Sequence, residues 1–269
     1  MSRFYVTTAI PYPNDKPHVG FMYEIVAADV VARAHRLMGD EVLFVTGLDE
    51  NSQNILDKAV SLGEEPMAFC DRIAESYGSI LKDVGISNDD FVRTTEGRHH
   101  EPCKDLWSKL LSGGHIYKGK YEGWYCDSCN NYWEEKDLKG GNCPEHGIPA
   151  RKLSEENYFF ALSAWQEKLE AFHRDRPDFV HPQERRNEVL GILKEGLKDV
   201  SFSRANRSWG IPVPGDPTQV MYVWADALVN YITALGYGNG RKKMEFWPAV
   251  HLIGKDITRF HSLIWPAML

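Results

Sequence analysis

Apolar and polar positions in the first part of the chain alternate between two periods. RFYVTTAI at 3–10 is typical of a buried strand, and EVLFVTGLD at 41–49 predicts a second strand. Between them, apolar side chains recur at helical spacing at Met22, Val26, Val30, Ala34 and Leu37. Further helices are predicted near 51–62, 66–84 and 98–112, with a short strand near 90–95. Strands joined by helical crossovers predict a doubly wound parallel α/β sheet, of which residues 1–113 would form the first half.

The middle of the chain has a different texture. Residues 114–199 begin with a stretch rich in glycine, cysteine and aromatic residues that has no long period, and helical patterns return only near 163–174 and 182–195. This predicts an inserted module. Residues 200–269 resume the alternation and would form the second half of the sheet domain. Their predicted elements are a strand at 219–224, a helix at 225–235, a strand at 249–254 and the start of another helix at 256–269.

The inserted module carries the most specific chemical motif. Cys126-x-x-Cys129 and Cys143-x-x-His146 supply three thiolates and one imidazole, which together complete a tetrahedral zinc shell. Four protein ligands leave no open position, so the zinc is expected to be structural. The alternative is a coincidental pair of tight turns. Cys70 and Cys103 stand alone, and the odd cysteine count fits reduced thiols better than disulfides.

Composition excludes some classes of protein. The formal net charge of -7 argues against binding nucleic acid through bulk positive charge, although a local basic surface stays possible. No apolar run approaches the roughly 18 residues of a membrane span, and the first residues lack the layout of a signal peptide. We therefore expect a cytoplasmic protein without a membrane partner.

The junction PYPNDKPHVGF at 11–21 lies between the first strand and the first helix. There, His18 and Gly20 would sit at a helix N-terminus at the carboxyl end of a strand, where free N–H groups and the helix dipole favour a phosphate. The alternative is that His18 only caps the helix. Asp49 follows the second strand at the same edge of the sheet, where open α/β sheets place ligands.

Four segments carry a resemblance to a known family: TTAIPYPNDKPHVGF at 7–21, VTGLDEN at 45–51, WADAL at 224–228 and GKDITRFHSLIWPAML at 254–269. With them, essentially the whole chain resembles the methionyl-tRNA synthetases of the class I aminoacyl-tRNA synthetase family. His18, Val19 and Gly20 match the first three positions of the family's His-Ile-Gly-His signature, whereas Phe21 departs from it. Asn51 and Ser52 also depart, because the family more often has His-Gly there.

The resemblance implies a Rossmann-like fold interrupted by a zinc-binding connective insert, with the divisions 1–113, 114–199 and 200–269. It also implies a reaction, in which ATP with Mg²⁺ activates L-methionine to methionyl-adenylate and the aminoacyl group passes to the 3′ end of tRNA(Met). His18 and Lys255 would be the catalytic residues. The implied ATP-binding residues are His18, Gly20, Arg204, Gly254, Lys255 and Asp256. The implied methionine-binding residues are Ile10, Tyr12, Asp49, Trp224, Ala227, Leu228, Tyr231, Ile257 and His261.

Two other functions fit parts of the sequence. One is a zinc-dependent RNA-binding protein without enzymatic activity, and the other is a ligase that uses the same adenylation chemistry on cysteine. Cysteine ligases hold zinc in the amino-acid pocket, whereas the four ligands here belong to the insert. The chain stops at Leu269 inside a predicted helix, before the Lys-Met-Ser-Lys-Ser loop that the family places next. We therefore expect a catalytic portion that binds methionine and ATP but is poorly active by itself.

Overall fold

The computed structural model describes residues 2–14, 17–126, 128, 131–133, 135–205, 208–240 and 242–269. Its strands are β1 (Arg3–Thr8), β2 (Glu41–Leu48), β3 (Asp90–Arg93), β4 (Ile116–Cys126), β5 (Asn131–Trp133), β6 (Arg151–Phe160), β7 (Val200–Ser201), β8 (Ser203–Ala205), β9 (Pro212–Val213), β10 (Asp216–Met221) and β11 (Ala249–Leu252). Its α-helices are α1 (Val19–Leu37), α2 (Gln53–Leu62), α3 (Pro66–Val84), α4 (Gly97–Ser112), α5 (Gln166–Asp175), α6 (Gln183–Glu195), α7 (Val223–Ala227), α8 (Asn230–Thr233) and α9 (Trp265–Met268).

A parallel sheet in the order β11-β1-β2-β3 forms the centre of the fold. Successive strands run β1 to β2 to β3 in one direction, whereas β11 pairs on the other side of β1. The strand order therefore reverses at β1, and open α/β sheets bind ligands at the carboxyl ends of the strands beside such a reversal. The predicted parallel sheet is confirmed.

Both faces of this sheet are covered. Val6, Phe44 and Leu48 face a core that includes side chains of α1, α2 and α3. Tyr5 and Val45 lie in a second cluster on the opposite face with Leu235, which follows α8. Because successive strand residues point to opposite faces, the nearly continuous apolar runs in β1 and β2 reflect burial on both sides.

The inserted module is a long antiparallel hairpin of β4 and β6, in register from Ile116 opposite Phe160 to Tyr125 opposite Arg151. Short strands β5 and β7 extend it on either side. The hairpin base is buried in the largest core cluster through Ile116 and Phe160, and the cysteine knuckles lie between its two strands in sequence. The sequence predicts no strand here, because glycines and mixed polar residues obscure the alternation of apolar and polar positions that is typical of a strand. The predicted helices near 163–174 and 182–195 are present as α5 and α6.

Two predictions for the last segment need correction. The strand at 219–224 is β10, which ends at Met221 and belongs to a separate antiparallel sheet of order β8-β10-β9. It pairs with β9 across a turn at Gly215, whose φ of 81° lies in the left-handed region that glycine adopts without strain. The helix at 225–235 is two short helices, α7 and α8. The helix at 256–269 is present but irregular, with a 3₁₀ turn (Lys255–Ile257) and a π-helical turn (Phe260–Ile264) before α9.

Within the described ranges, no helix has the length and apolar character that crossing a bilayer requires.

Candidate functional site

Three chain segments meet at the carboxyl edge of the parallel sheet. Ile10 and Tyr12 follow β1, Asp49 follows β2, and Gly254 to Asp256 follow β11. Because β1 lies between β2 and β11, these segments surround the point where the strand order reverses. These predicted residues therefore lie at one edge of the sheet.

Asp49 is a buried acid with free hydrogen-bonding capacity. Its side chain is almost fully buried, and its backbone N–H donates to the carbonyl of Pro11 at 3.0 Å. The Oδ1 atom has no hydrogen-bond partner among the described residues. Burial, the nearby Asp226 and Glu50 raise the pKa of Asp49, while the backbone N–H of Asn51 opposes this by donating to the carboxylate. A cationic group would satisfy both the unpartnered oxygen and the charge.

Aromatic side chains form the pocket wall contributed by α8 and the π-helical turn. His261 Nδ1 lies 3.0 Å from the carbonyl of Ile257, so this nitrogen carries the ring proton. Burial lowers the pKa of His261 to about 4, which keeps the ring neutral at pH 7. Nε2 is then an acceptor, and Tyr231 donates its hydroxyl proton to it at 2.7 Å. The pair is therefore fixed in one orientation.

Trp224 completes this wall. Its ring stacks on Phe260 with centroids 3.9 Å apart and planes 6° apart, and it meets His261 edge-on at 6.3 Å. Leu228 is buried in the same core cluster as Tyr231, and Ala227 beside it is buried as well. The π-helical turn places Phe260 and His261 side by side against Trp224, and such turns recur at functional sites.

Ile10 and Tyr12 flank Pro11, whose carbonyl accepts a hydrogen bond from the backbone N–H of Asp49. Burial raises the pKa of Tyr12 strongly, and Asp49, Tyr222 and Asp226 raise it further, so the phenol stays protonated and close to both acids. Ile10 packs on the Gly47 backbone, where an added Cβ would lie 3.1 Å from its side chain and 2.0 Å from the Val92 carbonyl. Gly47 thus lets the end of β2 approach β3.

His18 caps α1 rather than leaving its N-terminus open. Its Nδ1 accepts hydrogen bonds from the backbone N–H groups of Gly20 at 3.1 Å and Phe21 at 3.4 Å. These two amides are therefore engaged, which corrects the expectation that they are free for a phosphate. With Nδ1 as acceptor, Nε2 carries a ring proton and is a donor that points away from the helix. A Cβ at Gly20 would lie 3.0 Å from the His18 ring, so the glycine makes room for this cap.

Phe21 stands where the family signature has its second histidine. It is buried in the core with its ring edge-on to Tyr77, at a centroid distance of 5.0 Å. Its side chain therefore packs between α1 and α3 and does not take the place of a phosphate-binding histidine.

Positively charged residues at the site are of two kinds. Lys255 is exposed at the start of its 3₁₀ turn, beside exposed Asp256 and Gly254. Arg204, by contrast, lies in β8 and is only 8% exposed, although arginine side chains are mostly exposed in folded proteins. Its guanidinium lies 4.0 Å from the ring centroid of Tyr222, and Nη1 donates to the carbonyl of Ser203 at 2.8 Å. Arg204 is thus held rigidly, whereas Lys255 is free to reach a ligand.

A cavity of about 270 Å³ connects this edge with the insert. It is lined by Tyr12 and Trp224 from the sheet domain, by Arg204 and Tyr222, and by His146 from the second knuckle. The position of the knuckle beside the site was not predicted, because no local sequence pattern indicates a contact between such distant segments.

The knuckle residues form a compact donor cluster. The sulfur atoms of Cys126 and Cys143 and a ring nitrogen of His146 lie within 4.8 Å of one another. Cys143 Sγ is 3.7 Å from His146 Nδ1, close to the roughly 3.6 Å edge of a tetrahedral zinc site. Burial opposes ionisation of Cys143, but hydrogen bonds from His146, Glu145 and Cys126 lower its pKa to about 6. The predicted fourth ligand, Cys129, lies outside the described residues.

The two isolated cysteines lie away from the knuckles. Cys70 and Cys103 are buried free thiols.

A family model described as "tRNA synthetases class I (M)" matches residues 4–152 and 147–269. The chain belongs to this family. The family match together with the parallel sheet confirms the Rossmann-like class I synthetase fold.

Relatives of this class I synthetase chain agree with that assignment. The methionine–tRNA ligase of Caldanaerobacter subterraneus subsp. tengcongensis is 49% identical over 269 residues, which are 99% of this chain and 42% of the relative. The methionyl-tRNA synthetase of Mycobacterium tuberculosis in complex with methionyl-adenylate matches with a TM-score of 0.95 at 42% identity, over 100% of this chain and 54% of that one. The free form of that enzyme matches with a TM-score of 0.85 at 41% identity, over 100% and 53%. The chain thus spans about half the length of the relatives it matches.

Asp226 and Asn51, which the sequence did not single out as functional candidates, lie close to Asp49. Asp226 is completely buried and accepts from Asn51 Nδ2 at 3.0 Å. The available signal was an acid within the apolar run VWADALV, since a charged side chain in a fully buried segment needs a specific partner.

Proposed function

We propose that this chain carries the amino-acid activation site of a methionine–tRNA ligase. The observation that carries the proposal is Asp49, a buried acid whose Oδ1 has no partner in the described part of the chain, next to the aromatic wall of Tyr231 and His261. A free amino acid brings the complementary ammonium group. The relatives' names and the greater likeness to the adenylate-bound than to the free structure support the same assignment.

The apolar part of the pocket suits a thioether. Trp224, Tyr231 and His261 offer ring faces and edges, and Ile10, Ala227, Leu228 and Ile257 offer aliphatic surface. Sulfur–aromatic contacts contribute about 0.3–1.5 kcal/mol each, and an unbranched side chain adapts to such a slot better than a β-branched one. Methionine therefore fits this lining better than isoleucine. The cluster of Cys126, Cys143 and His146 lies in the insert, and this argues against the cysteine ligase considered above.

ATP activation needs no protein nucleophile. In the proposed reaction, a carboxylate oxygen of methionine attacks the α-phosphorus of ATP, the bond to the bridging oxygen breaks, and pyrophosphate leaves with that electron pair. His18 would donate from Nε2 and Lys255 from its ammonium group to phosphate oxygens that gain charge, while Gly20, Gly254, Asp256 and Arg204 would contact the rest of the nucleotide. Mg²⁺ entering with ATP would neutralise part of the phosphate charge.

Zinc would have a structural role. Cys126, Cys129, Cys143 and His146 would hold it at the end of the β4–β6 hairpin, and the short donor separations support this set. Because four protein ligands would fill the coordination shell of the zinc ion, its role would be to hold the insert together at the rim of the cavity. Transfer of the aminoacyl group to the 3′ end of tRNA(Met) is proposed for the whole protein, in the cytoplasm. The division of the chain at 113 and 199 stays a prediction.

Titration calorimetry tests the proposal. We expect L-methionine to bind more tightly than leucine, isoleucine or cysteine, with the preference over leucine limited to about 1–3 kcal/mol because the two differ by little apolar volume. Asp49→Asn should weaken methionine binding at least 100-fold, since it removes the charge that attracts the ammonium. Asp71→Asn is the matched control, because Asp71 is an exposed acid that pairs with Arg93. Tighter binding of isoleucine or cysteine than of methionine would contradict the proposal.

A further inference from the structure

Asp226 is a second buried acid near Asp49 that the proposed mechanism does not use. Its side chain is 0% exposed, and its Oδ1 has no hydrogen-bond partner among the described residues. No ion pair joins either Asp49 or Asp226 to a basic side chain in the ranges that the structure describes. Two carboxyl groups therefore each present an unpartnered oxygen in the same buried region, where an uncompensated charge is costly.

Asn51 holds these two acids together although they are distant in sequence. Its backbone N–H donates to the Asp49 carboxylate, and its side-chain Nδ2 donates to Asp226 Oδ2 at 3.0 Å and to the carbonyl of Thr94 at 3.0 Å. Both protons of the Asn51 amide are thereby used. One residue thus fixes the end of β2 relative to α7, with both free carboxyl oxygens left for another group.

Several titratable groups surround the pair. Glu50 is paired with Arg93 at 2.8 Å, and from α1 the half-buried Glu24 accepts from the N–H of Ala9. From α4, His99 and Cys103 contact each other at 3.2 Å beside the Asp226 backbone. Burial lowers the pKa of His99 to about 3, so it stays neutral. Tyr12 and Tyr231 border the pair on the pocket side, and burial raises the pKa of each phenol.

We propose that Asp49 and Asp226 together form the binding site for the substrate ammonium, that Asn51 positions them, and that ammonium binding expels a proton held by the pair. The inference rests on the proposed function, because it takes the ligand to be an amino acid. Two like charges in one buried site disfavour full ionisation, so the free pair retains a proton. An entering ammonium favours the ionised form of both acids, and the displaced proton passes to the buffer.

Calorimetry on the unmodified protein gives the first test. Titrations with L-methionine at one pH, in buffers of different ionisation enthalpy, should give an observed enthalpy that varies linearly with the buffer, corresponding to release of up to one proton. Methioninol, which keeps the ammonium but lacks the carboxylate, should release protons as well. 4-(Methylthio)butanoate, which lacks the ammonium, should release none. The Kd for methionine should fall by up to about tenfold per pH unit as the pH rises towards 7.5, because the ionised pair binds the ligand.

Asp226→Asn tests the second acid directly. The amide oxygen of asparagine can still accept from Asn51, so the segment should keep its position, while the second ionisable group is lost. We expect about tenfold weaker methionine binding, a much smaller proton release and a flatter dependence of Kd on pH. Glu50→Gln is the matched control, a buried acid next to Asp49 whose charge is already paired, and it should keep the proton release of the unmodified protein. A purely structural role of Asp226 would lower stability without changing the proton count.

The outcomes separate the two claims. Absence of methionine binding by the unmodified protein would overturn the proposed function and this inference with it. Methionine binding without proton release, or equal release with the ligand that lacks an ammonium, would overturn this inference alone. Since the ligand comparison uses the unmodified protein, it decides the question even where Asp226→Asn does not fold.

Discussion

At the scale of single residues, the candidate pocket depends on side chains whose protonation is set by their neighbours. His261 has its proton on Nδ1 because the carbonyl of Ile257 can only accept, and this makes Nε2 the acceptor for Tyr231. Neither residue could take this arrangement alone. The orientation of the pocket wall is therefore a property of the pair.

Tyr231→Phe should disturb this wall. The change leaves His261 Nε2 buried without its donor, which typically costs about 1–3 kcal/mol in stability. Because the imidazole loses its fixed orientation, we also expect the methionine Kd to rise about tenfold, measured by calorimetry. Tyr5→Phe is the control. It removes another buried phenol hydroxyl, which donates to the Tyr231 carbonyl at 2.7 Å, and it should lower the melting temperature with little change in Kd. Equal loss of affinity in both variants would contradict this role of the hydroxyl.

At the scale of elements, the β4–β6 hairpin carries the knuckles to the rim of the cavity. Its base is fixed by Ile116 and Phe160 in the core, whereas few apolar side chains are buried towards its end in the part of the hairpin that the structure describes, Tyr125 and Ala150 among them. A zinc ion would replace the missing core there, since structural zinc contributes roughly 10–16 kcal/mol in isolated knuckle peptides.

Metal analysis tests this element. We expect one zinc per chain in protein purified without chelator, and loss of most of it in Cys143→Ser. The variant should also become sensitive to proteolysis within residues 121–151, while the parallel sheet stays folded on its own core. Cys70→Ala is the control, because Cys70 is a buried free thiol in a different cluster, and it should retain zinc. The assignment of Cys143 as a zinc ligand would be wrong if the unmodified protein contained no zinc, or if Cys143→Ser retained all of it.

At the scale of the whole molecule, stability depends on pH through titratable groups whose pKa values are shifted by burial, some of which stabilise the fold at high pH and others at low pH. Burial lowers the pKa of His99 and His251 to about 3 and that of His261 to about 4. As the pH falls, these imidazoles gain a proton in the unfolded chain before they do so in the folded protein. Their contribution to stability is therefore present above about pH 6.5 and is lost as the pH falls. Glu24 acts oppositely, because burial raises its pKa to about 7 and its contribution is lost as the pH rises through that value.

Because these effects overlap, a difference measurement isolates one of them. Replacing His99 by glutamine removes a group that must gain a proton on unfolding. Relative to the unmodified protein, His99→Gln should therefore gain stability as the pH is lowered from about 6 to 4, by up to about 1.4 kcal/mol per pH unit. Urea unfolding at several pH values measures this. His181→Gln, which changes an exposed histidine, is the control. A constant difference for His99→Gln would contradict the burial argument.

Local sequence determined much of the first half of the molecule. The bounds of α2 and α3 follow the predicted segments closely, and both helices end at glycines with positive φ, Gly63 and Gly85. Such features are readable because helical period and left-handed glycine caps involve residues close in sequence. The convergence of Asp49 and Lys255 on one edge was also predictable, since parallel strands bring their carboxyl ends together.

Tertiary structure alone decided the rest, for one physical reason. Asn51 and Asp226 are 175 positions apart and Tyr5 and Tyr231 are 226 apart, so no local pattern reports their hydrogen bonds. The antiparallel pairing of β10 with β8 and the burial of Arg204 likewise depend on which segments the folded chain brings together. Sequence thus determined which chemical groups are present and on which elements they lie, whereas packing decided which groups meet, which stay unpartnered and which carry a proton.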